Sequence, residues 1–391
     1  MRTKIIADNN NKINSSVFDN AFLQRSNQVA MDIITSIFLK NTLPSFFPSE
    51  LQLDLTGYCS YKKQVQNFKQ HKTGKQPPKD CLNCSYKQAD LHTHLPITKN
   101  LSIINSFAHF GGRQLFLTGG GEPGEYKEFP QIFKMALKQG LLTEFNSWGA
   151  AFMRINKIRP NQLKALYKNY QNTIQWFNVS IHELNNEHIF QVVQETRKII
   201  EKYNLPLKIR TSMLLHPDTN KAEINNFLKK SKKYGAAMAS FKPAYSFDEQ
   251  QKTRKFFKNE ALYSIIKDKE ASSTPQFIIN SNRLDRLLYD YRMNFPVCFA
   301  PLLKMHINSL GQAAMCCDTK DISQGNIKPF ILSSTFPENP GEYFLKAQKG
   351  MLCFTDWRKC VQGCNMFEAN NYYHNMLQGS EVYQRFLRKI K

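Results

Sequence analysis

An α/β fold built around a parallel sheet is what this sequence predicts, and three observations carry the expectation. Short apolar runs rich in branched and aromatic residues alternate with amphipathic stretches long enough for crossover helices. The apolar supply is ample: 41% of the 391 residues are hydrophobic and 12% aromatic, enough to bury a core without covalent staples. All nine cysteines fall in two groups, Cys59, Cys81 and Cys84, then Cys298, Cys316, Cys317, Cys353, Cys360 and Cys364, so metal or redox chemistry is expected on that frame.

Residues 1–48 form a polar, Asn-rich start and then an N-terminal helical extension, from about Asn27 to Lys40, closed by Pro44 and Pro48. Strands are expected in runs beginning at Leu51, Gln114, Leu142, Ile174, Leu207 and Ala237. Helices fill the gaps at about 101–110, 129–139, 160–170, 187–203 and 221–234. Strands separated by helices pair in parallel through right-handed crossovers, a pattern that an open sheet and a partly closed barrel both satisfy. Residues 49–245 are thus one α/β unit. Residues 246–294 read as a charged helical bridge, and 295–391 as a smaller cysteine-rich α+β extension ending in a helix near 381–390.

Lys and Arg number 53 against 31 Asp and Glu, a formal charge of +22, which favours an anionic partner without specifying nucleic acid or phosphate. No run reaches membrane-spanning length, and the N-terminus lacks the apolar segment of an export signal. A cytoplasmic protein with no membrane association is the expectation. An odd cysteine count in such a chain argues against a disulfide framework.

Cys59 follows directly on the first strand, and Cys81 and Cys84 close the group as CLNC. In parallel α/β folds the loops after the strands' carboxyl ends build the active site. Three thiolates fix three irons of a four-iron cluster and leave the fourth open to an external ligand. The second strand runs into GGGEP, where Gly119, Gly120 and Gly121 permit a tight turn and Glu122 offers an acceptor for an amino group.

Together these features resemble the radical S-adenosylmethionine superfamily: a strand then a cysteine, a CxxC ending, and a GGE motif of Gly120, Gly121 and Glu122. The resemblance spans about 51–245 and implies a six-unit partial (β/α) barrel. It implies that Cys59, Cys81 and Cys84 hold a 4Fe-4S cluster, with S-adenosylmethionine chelating the open iron and being cleaved to a hydrogen-abstracting 5′-deoxyadenosyl radical. Such an enzyme also needs an electron donor such as flavodoxin or ferredoxin. Ser180 resembles the family's strand-end serine that meets the cofactor, and Arg210 occupies a next-strand position suited to a carboxylate clamp. Two departures stand out. Twenty-one residues, lysine-rich, separate Cys59 from Cys81 where the family has three, and Asn83 replaces an aromatic residue. An insertion of that length is thermodynamically tolerable, because loop closure cost grows only logarithmically. His182 and His188, beside a strand end, fit ordinary structural roles better than catalysis.

In the second group, twelve residues separate Cys298 from Gly311 and four separate Gly311 from Cys316. That spacing resembles the opening of SPASM and Twitch extensions, whose glycine turns a hairpin. Six cysteines, two of them adjacent, make one auxiliary 4Fe-4S cluster the economical reading, held among Cys298, Cys316, Cys353, Cys360 and Cys364. Cys316 and Cys317, if in a strand, face opposite ways and cannot both serve one cluster. A zinc site is the alternative for these thiolates.

Expected substrates are a peptide, a protein or another anionic molecule, including RNA or a phosphorylated small molecule. Fewer than fifty residues precede the first strand, too few for a peptide-recognition domain, so leader recognition would use another surface. The competing class is a basic, zinc-stabilised nucleic-acid-binding protein, which leaves the strand-end position of GGGEP unexplained.

Overall fold

A computed structural model describes residues 20–61, 63–64, 81, 84, 92–170, 174–243, 252, 254–258, 261–288, 296–317, 330–353 and 366–389. Helix α1 (Asn20–Phe38) leads into β1 (Glu50–Leu53). Five strand-bearing units follow: α2 (Ile97–His109) and β2 (Gln114–Leu117); α3 (Phe129–Lys138) and β3 (Leu142–Ser147); α4 (Ala150–Asn156), α5 (Pro160–Tyr167) and β4 (Gln175–Ser180); α6 (Glu187–Tyr203) and β5 (Leu207–Leu215); α7 (Lys221–Lys233) and β6 (Met238–Pro243). Every strand expected over 49–245 forms at the expected place.

Strands β1 to β6 pair in parallel in strictly consecutive order. Right-handed crossovers in one direction put all the helices on one face, so such a sheet curls around its other face. This is the winding of a partial barrel, open at its edges. Local signals set the helix ends: a capping box of Asn220 and Glu223 starts α7, and α6 stops at Asn204 in the left-handed conformation, φ 46°.

The two faces of the sheet differ sharply. Toward the helices point Leu51, Leu53, Phe145, Phe177, Ile209 and Phe241, all buried. Phe145 meets the rings of Phe129, Phe133, Phe152 and Phe177 at centroid distances of 4.3–6.5 Å, and Phe227 of α7 lies 5.4 Å from Phe241. Each such ring stabilises the fold by about 2–3 kcal/mol through burial. Toward the concave side point Gln52, Asp54, Glu144, Asn146, Asn178, Ser180, Arg210, Ser212, Ser240 and Lys242. The register sets them in rows: Asn146, Asn178 and Arg210 lie side by side, and Ser180, Ser212, Ser240 and Asn280 form the next row up. Trp176, Met238 and Ile278 cluster as an apolar patch on this face, toward the amino ends of their strands.

Two regions depart from the sequence expectation. The bridge 246–294 is not purely helical: between α8 (Leu262–Ala271) and α9 (Asn282–Leu288) it supplies β7 (Ile278–Asn280), which extends the parallel sheet beyond β6. Three residues are too few for a readable alternation, and pairing to β6 decides their conformation. In the C-terminal region, α10 (Ala300–Leu303) leads to β8 (Lys304–Ile307), which pairs in parallel with β1 on the side away from β2. Antiparallel β9 (Ala313–Ala314) and β10 (Ile331–Ser333) continue the same sheet. Helices α11 (Pro340–Cys353), α12 (Phe367–Leu377) and α13 (Glu381–Leu387) follow, and Phe38 of α1 packs on Phe299, Tyr383 and Phe386. Among the described residues, no helix is long and apolar enough to cross a membrane.

Candidate active site

Parallel strands place their carboxyl ends at one rim, and the first cysteine group and the glycine turn meet there. Cys59 follows β1, with Cys81 buried and Cys59 and Cys84 partly exposed. The Cys84 N–H donates to the Cys81 carbonyl at 3.3 Å, a tight turn across the CxxC. Tyr61, two residues past Cys59, has its hydroxyl pushed up to about 12 by burial first, then by Glu183 and by Cys81 and Cys59. Both cysteines therefore lie within electrostatic reach of one phenol. As placed, no three His, Cys, Asp or Glu side chains among the described residues form a metal-holding group. Asn83 and the insert's lysines other than Lys63 lie outside those residues.

The glycine turn is wired into the cysteine loop. The Glu122 N–H donates to the Tyr58 carbonyl at 2.7 Å, and the Gly120 N–H to Oδ2 of Asp54 at 3.2 Å. A Cβ on Gly121 would stand 2.1 Å from the Tyr58 carbonyl oxygen, and one on Gly119, φ +151°, 2.3 Å from the Asp54 carboxyl. Only glycine lets the two loops approach this closely. Glu125 adds a second tie, its Oε2 accepting from the Ser60 N–H at 2.8 Å.

Glu122 itself is 4% exposed. Its carboxylate accepts from Ser147 Oγ at 2.6 Å, from the Trp148 N–H at 3.0 Å and from the Gly124 N–H at 3.1 Å. Burial nevertheless dominates those three donors and pushes its carboxyl up to about 7. A carboxylate offers about four lone-pair sites, so roughly one remains for an external donor. At the end of β3, Asn146 Oδ1 and, just past the strand, Trp148 Nε1 are buried without a hydrogen-bond partner among the described residues. Buried polar atoms are nearly always satisfied, so an orphan acceptor and an orphan donor beside Glu122 fit a polar ligand at this rim. Trp148 lies edge-on to Tyr61 at 5.3 Å, and Tyr61 meets His182 at 5.8 Å, forming an aromatic wall beside the cysteine loop.

Ser180 ends β4, partly exposed, opposite Ser212. Arg210 sits one row deeper, midway along β5. Its Nε donates to Asn178 Oδ1 at 3.0 Å, and Asn178 Nδ2 donates to Ser212 Oγ at 3.1 Å. Burial lowers the Arg210 pKa while Glu144 opposes the shift; Glu144 is itself raised to about 7, by burial first, with Arg210 pulling it down. Arg210 therefore belongs to the floor of the concavity rather than to its rim.

In the C-terminal region, Cys298 precedes α10 and accepts from Asn370 Nδ2 at 3.5 Å, while the Asn370 side chain also receives the Phe299 N–H. Gly311, φ +80°, turns the hairpin between β8 and β9, with Cys316 just beyond it. Cys316 and Cys317 lie in a bend and a turn after β9, so the opposite-face argument, which needs a strand, does not apply to them. Cys353 is exposed at the end of α11, and Cys360 and Cys364 lie outside the described residues.

Sequence reasoning passed over Asp54, Ser147, Trp148, Glu144 and Lys242. Three of these left a readable signal: an acid or a lysine inside an apolar strand, LQLDL, LTEFN and ASFKP, is costly to bury and needs a reason to be there.

No protein-family model matches the chain, and no curated protein matches it. Solved structures do match. The chain is similar to SuiB of Streptococcus suis, in a structure bound to S-adenosylmethionine, at 13% identity and a TM-score of 0.46, covering 73% of this chain and 64% of SuiB. It is similar to BtrN in complex with AdoMet and 2-DOIA, at 11% identity and a TM-score of 0.30, covering 88% of this chain and 92% of BtrN. It is also similar to the methylornithine synthase PylB, at 10% identity and a TM-score of 0.31, covering 59% and 61%. The chain thus spans less than two thirds of SuiB, and likenesses at these identities concern the path of the chain alone.

Proposed function

We propose that this chain is a radical S-adenosylmethionine enzyme. The observation that carries the reading is the buried Glu122 carboxylate, held on a glycine turn that is hydrogen-bonded directly to the loop of Cys59. In this reading Cys59, Cys81 and Cys84 hold a 4Fe-4S cluster, and Gly120, Gly121 and Glu122 receive the cofactor's amino group. Ser180 meets its ribose or carboxylate, and Asn146 and Trp148 supply the remaining acceptor and donor. Arg210 acts from the floor of the chamber. When bound, cluster and cofactor supply the electron and the hydrogen-abstracting radical that the protein's own side chains cannot. The protein's part is to orient the amino group on Glu122 and to exclude water with the Tyr61, Trp148 and His182 wall.

Cys298, Cys316, Cys353, Cys360 and Cys364 are proposed as the pool of ligands for one auxiliary 4Fe-4S cluster. A peptide, protein or other anionic substrate, an electron donor of the flavodoxin or ferredoxin type and a cytoplasmic location complete the proposal. Anaerobic reconstitution tests it. Seven to eight irons per chain, with matching sulfide and reductive release of 5′-deoxyadenosine, is the expected result, taking four irons per cluster. One or two zinc ions and no cofactor cleavage would instead identify the zinc-stabilised nucleic-acid-binding protein.

A further inference from the structure

The concave face of the sheet holds more positive charge than it neutralises. Lys242, at the rim end of β6, is only 8% exposed. Among the described residues its ammonium has no hydrogen-bond or salt-bridge partner, and the charges it feels are Arg210 and Arg283, both positive. Arg283 enters from α9, which follows β7, the strand beside β6. The acid facing Arg210 is Glu144; of the other acids on this face, Glu50 pairs with Lys304 and Asp54 accepts from the Gly120 N–H. Between the Arg210 row and Lys242 runs the row of Ser180, Ser212 and Ser240, all short side chains that carry a hydroxyl.

Holding a lysine this largely buried with no acid beside it is costly, and two guanidinium groups acting on it add repulsion. Burial and the two arginines accordingly push the Lys242 pKa well below the usual lysine range. An oxyanion on the serine row would satisfy this ammonium, and the serine hydroxyls can donate to it as well. Glu122 follows β2 and Lys242 ends β6, so an anion held here and an amino group held at Glu122 would be held by different strands at the same end of the sheet.

We propose that Lys242, with Arg283 and Arg210 beside it, is a substrate-anchoring subsite that takes an oxyanion, a carboxylate or a phosphate monoester, through the serine row of β4 to β6. The proposal rests on the reading of this rim as a radical enzyme's active site. The subsite itself can be tested without turnover.

The test is calorimetric titration of the reconstituted enzyme with two probes, inorganic phosphate and acetate, on the wild type and on Lys242→Met, Arg283→Gln and Lys242→Arg. Saturable binding of at least one probe is expected, weakened about ten-fold or more by Lys242→Met and Arg283→Gln and retained by Lys242→Arg. Tighter phosphate points to a phosphorylated substrate, and tighter acetate to a carboxylic acid. Absence of binding to the wild type, or equal binding by all four proteins, would overturn the proposal. So would a loss of S-adenosylmethionine affinity in Lys242→Met with probe binding unchanged, since the lysine would then serve the cofactor. If the wild type never binds or cleaves S-adenosylmethionine, yet the probes bind and Lys242→Met abolishes that binding, the radical reading fails and the subsite stands.

Discussion

The two cysteine regions flank the same strand but are held very differently. The first hangs from β1 against β2, where backbone contacts through Tyr58, Gly120 and Gly121 and the Glu125 tie to Ser60 fix it to the sheet. The second leaves β8, on the other side of β1, by a hairpin and a bend, and Cys298, ahead of β8, accepts from the Asn370 side chain. Where chemistry requires a carboxylate at a set distance from a loop, the fold uses glycines and backbone hydrogen bonds. At Cys298 the described tie is instead the amide of Asn370, a side-chain contact rather than a glycine turn.

The largest effect should come from the first region. Cys→Ala at Cys59, Cys81 or Cys84 is expected to abolish deoxyadenosine formation while the iron of the second region remains, because the sheet's apolar core contains none of these side chains. The check is product chromatography beside iron analysis of the triple variant. Full activity in that variant would erase the distinction between the regions.

Next is Glu122→Gln, expected to weaken cofactor binding about ten-fold to a hundred-fold, from a charge-assisted hydrogen bond worth about 1.5–3 kcal/mol. The sign of its pH dependence follows from burial. With the carboxyl pushed up to about 7, Glu122 is neutral below that pH and accepts poorly from an ammonium group. Cofactor affinity in the wild type should therefore rise as pH passes upward through about 7 and then level off, whereas the Gln variant stays flat. Dissociation constants measured from pH 6 to pH 8.5 give the comparison; parallel profiles would show that Glu122 is purely structural.

Gly121→Ala should come third. Its Cβ would meet backbone, the Tyr58 carbonyl at 2.1 Å and the Gly57 carbonyl carbon at 2.6 Å, so the loops must part. A loss of about 1–3 kcal/mol in unfolding free energy is expected, with weakened cofactor binding. Denaturant melts of wild type and variant measure the first, and an unchanged midpoint would mean the loops are not locked.

These expectations differ in how far they could be read from sequence. The six parallel strands were legible because each buries one face against helices, and Phe145, Phe177 and Ile209 announce that face by alternation. Glu122 was legible because its chemistry sits next to its glycines in sequence. Lys242 and Glu144 were legible only as charges out of place in apolar strands, because their meaning depends on charges brought together from four separate segments, and no local pattern encodes that meeting. β7 and β8 were hidden for a related reason: strands of three and four residues owe their conformation to the neighbour they pair with. The bond between β8 and β1 joins residues about 250 positions apart, as in the Lys304 to Glu50 ion pair.

The smallest predicted effect tests whether the two cysteine regions are mechanically separate. Among the described residues their loops meet where Thr93 Oγ1 and Ser309 Oγ share a hydrogen bond at 2.9 Å and Leu95 packs against Gly311 in the hairpin turn. Thr93 lies between the first cysteine group and α2, and Ser309 lies in the turn that leads to Cys316. Thr93→Val and Ser309→Ala should each cost about 0.5–1.5 kcal/mol, the net worth of a partly buried hydrogen bond. The double variant should cost little more than either single one, since both remove the same bond, and the shortfall from additivity measures the coupling. Denaturant melts of the four proteins supply the cycle. Strict additivity would mean that the two loops are held independently by β1, whereas a coupling of that size would mean that a displacement of the auxiliary hairpin is felt at the loop that carries Cys81 and Cys84.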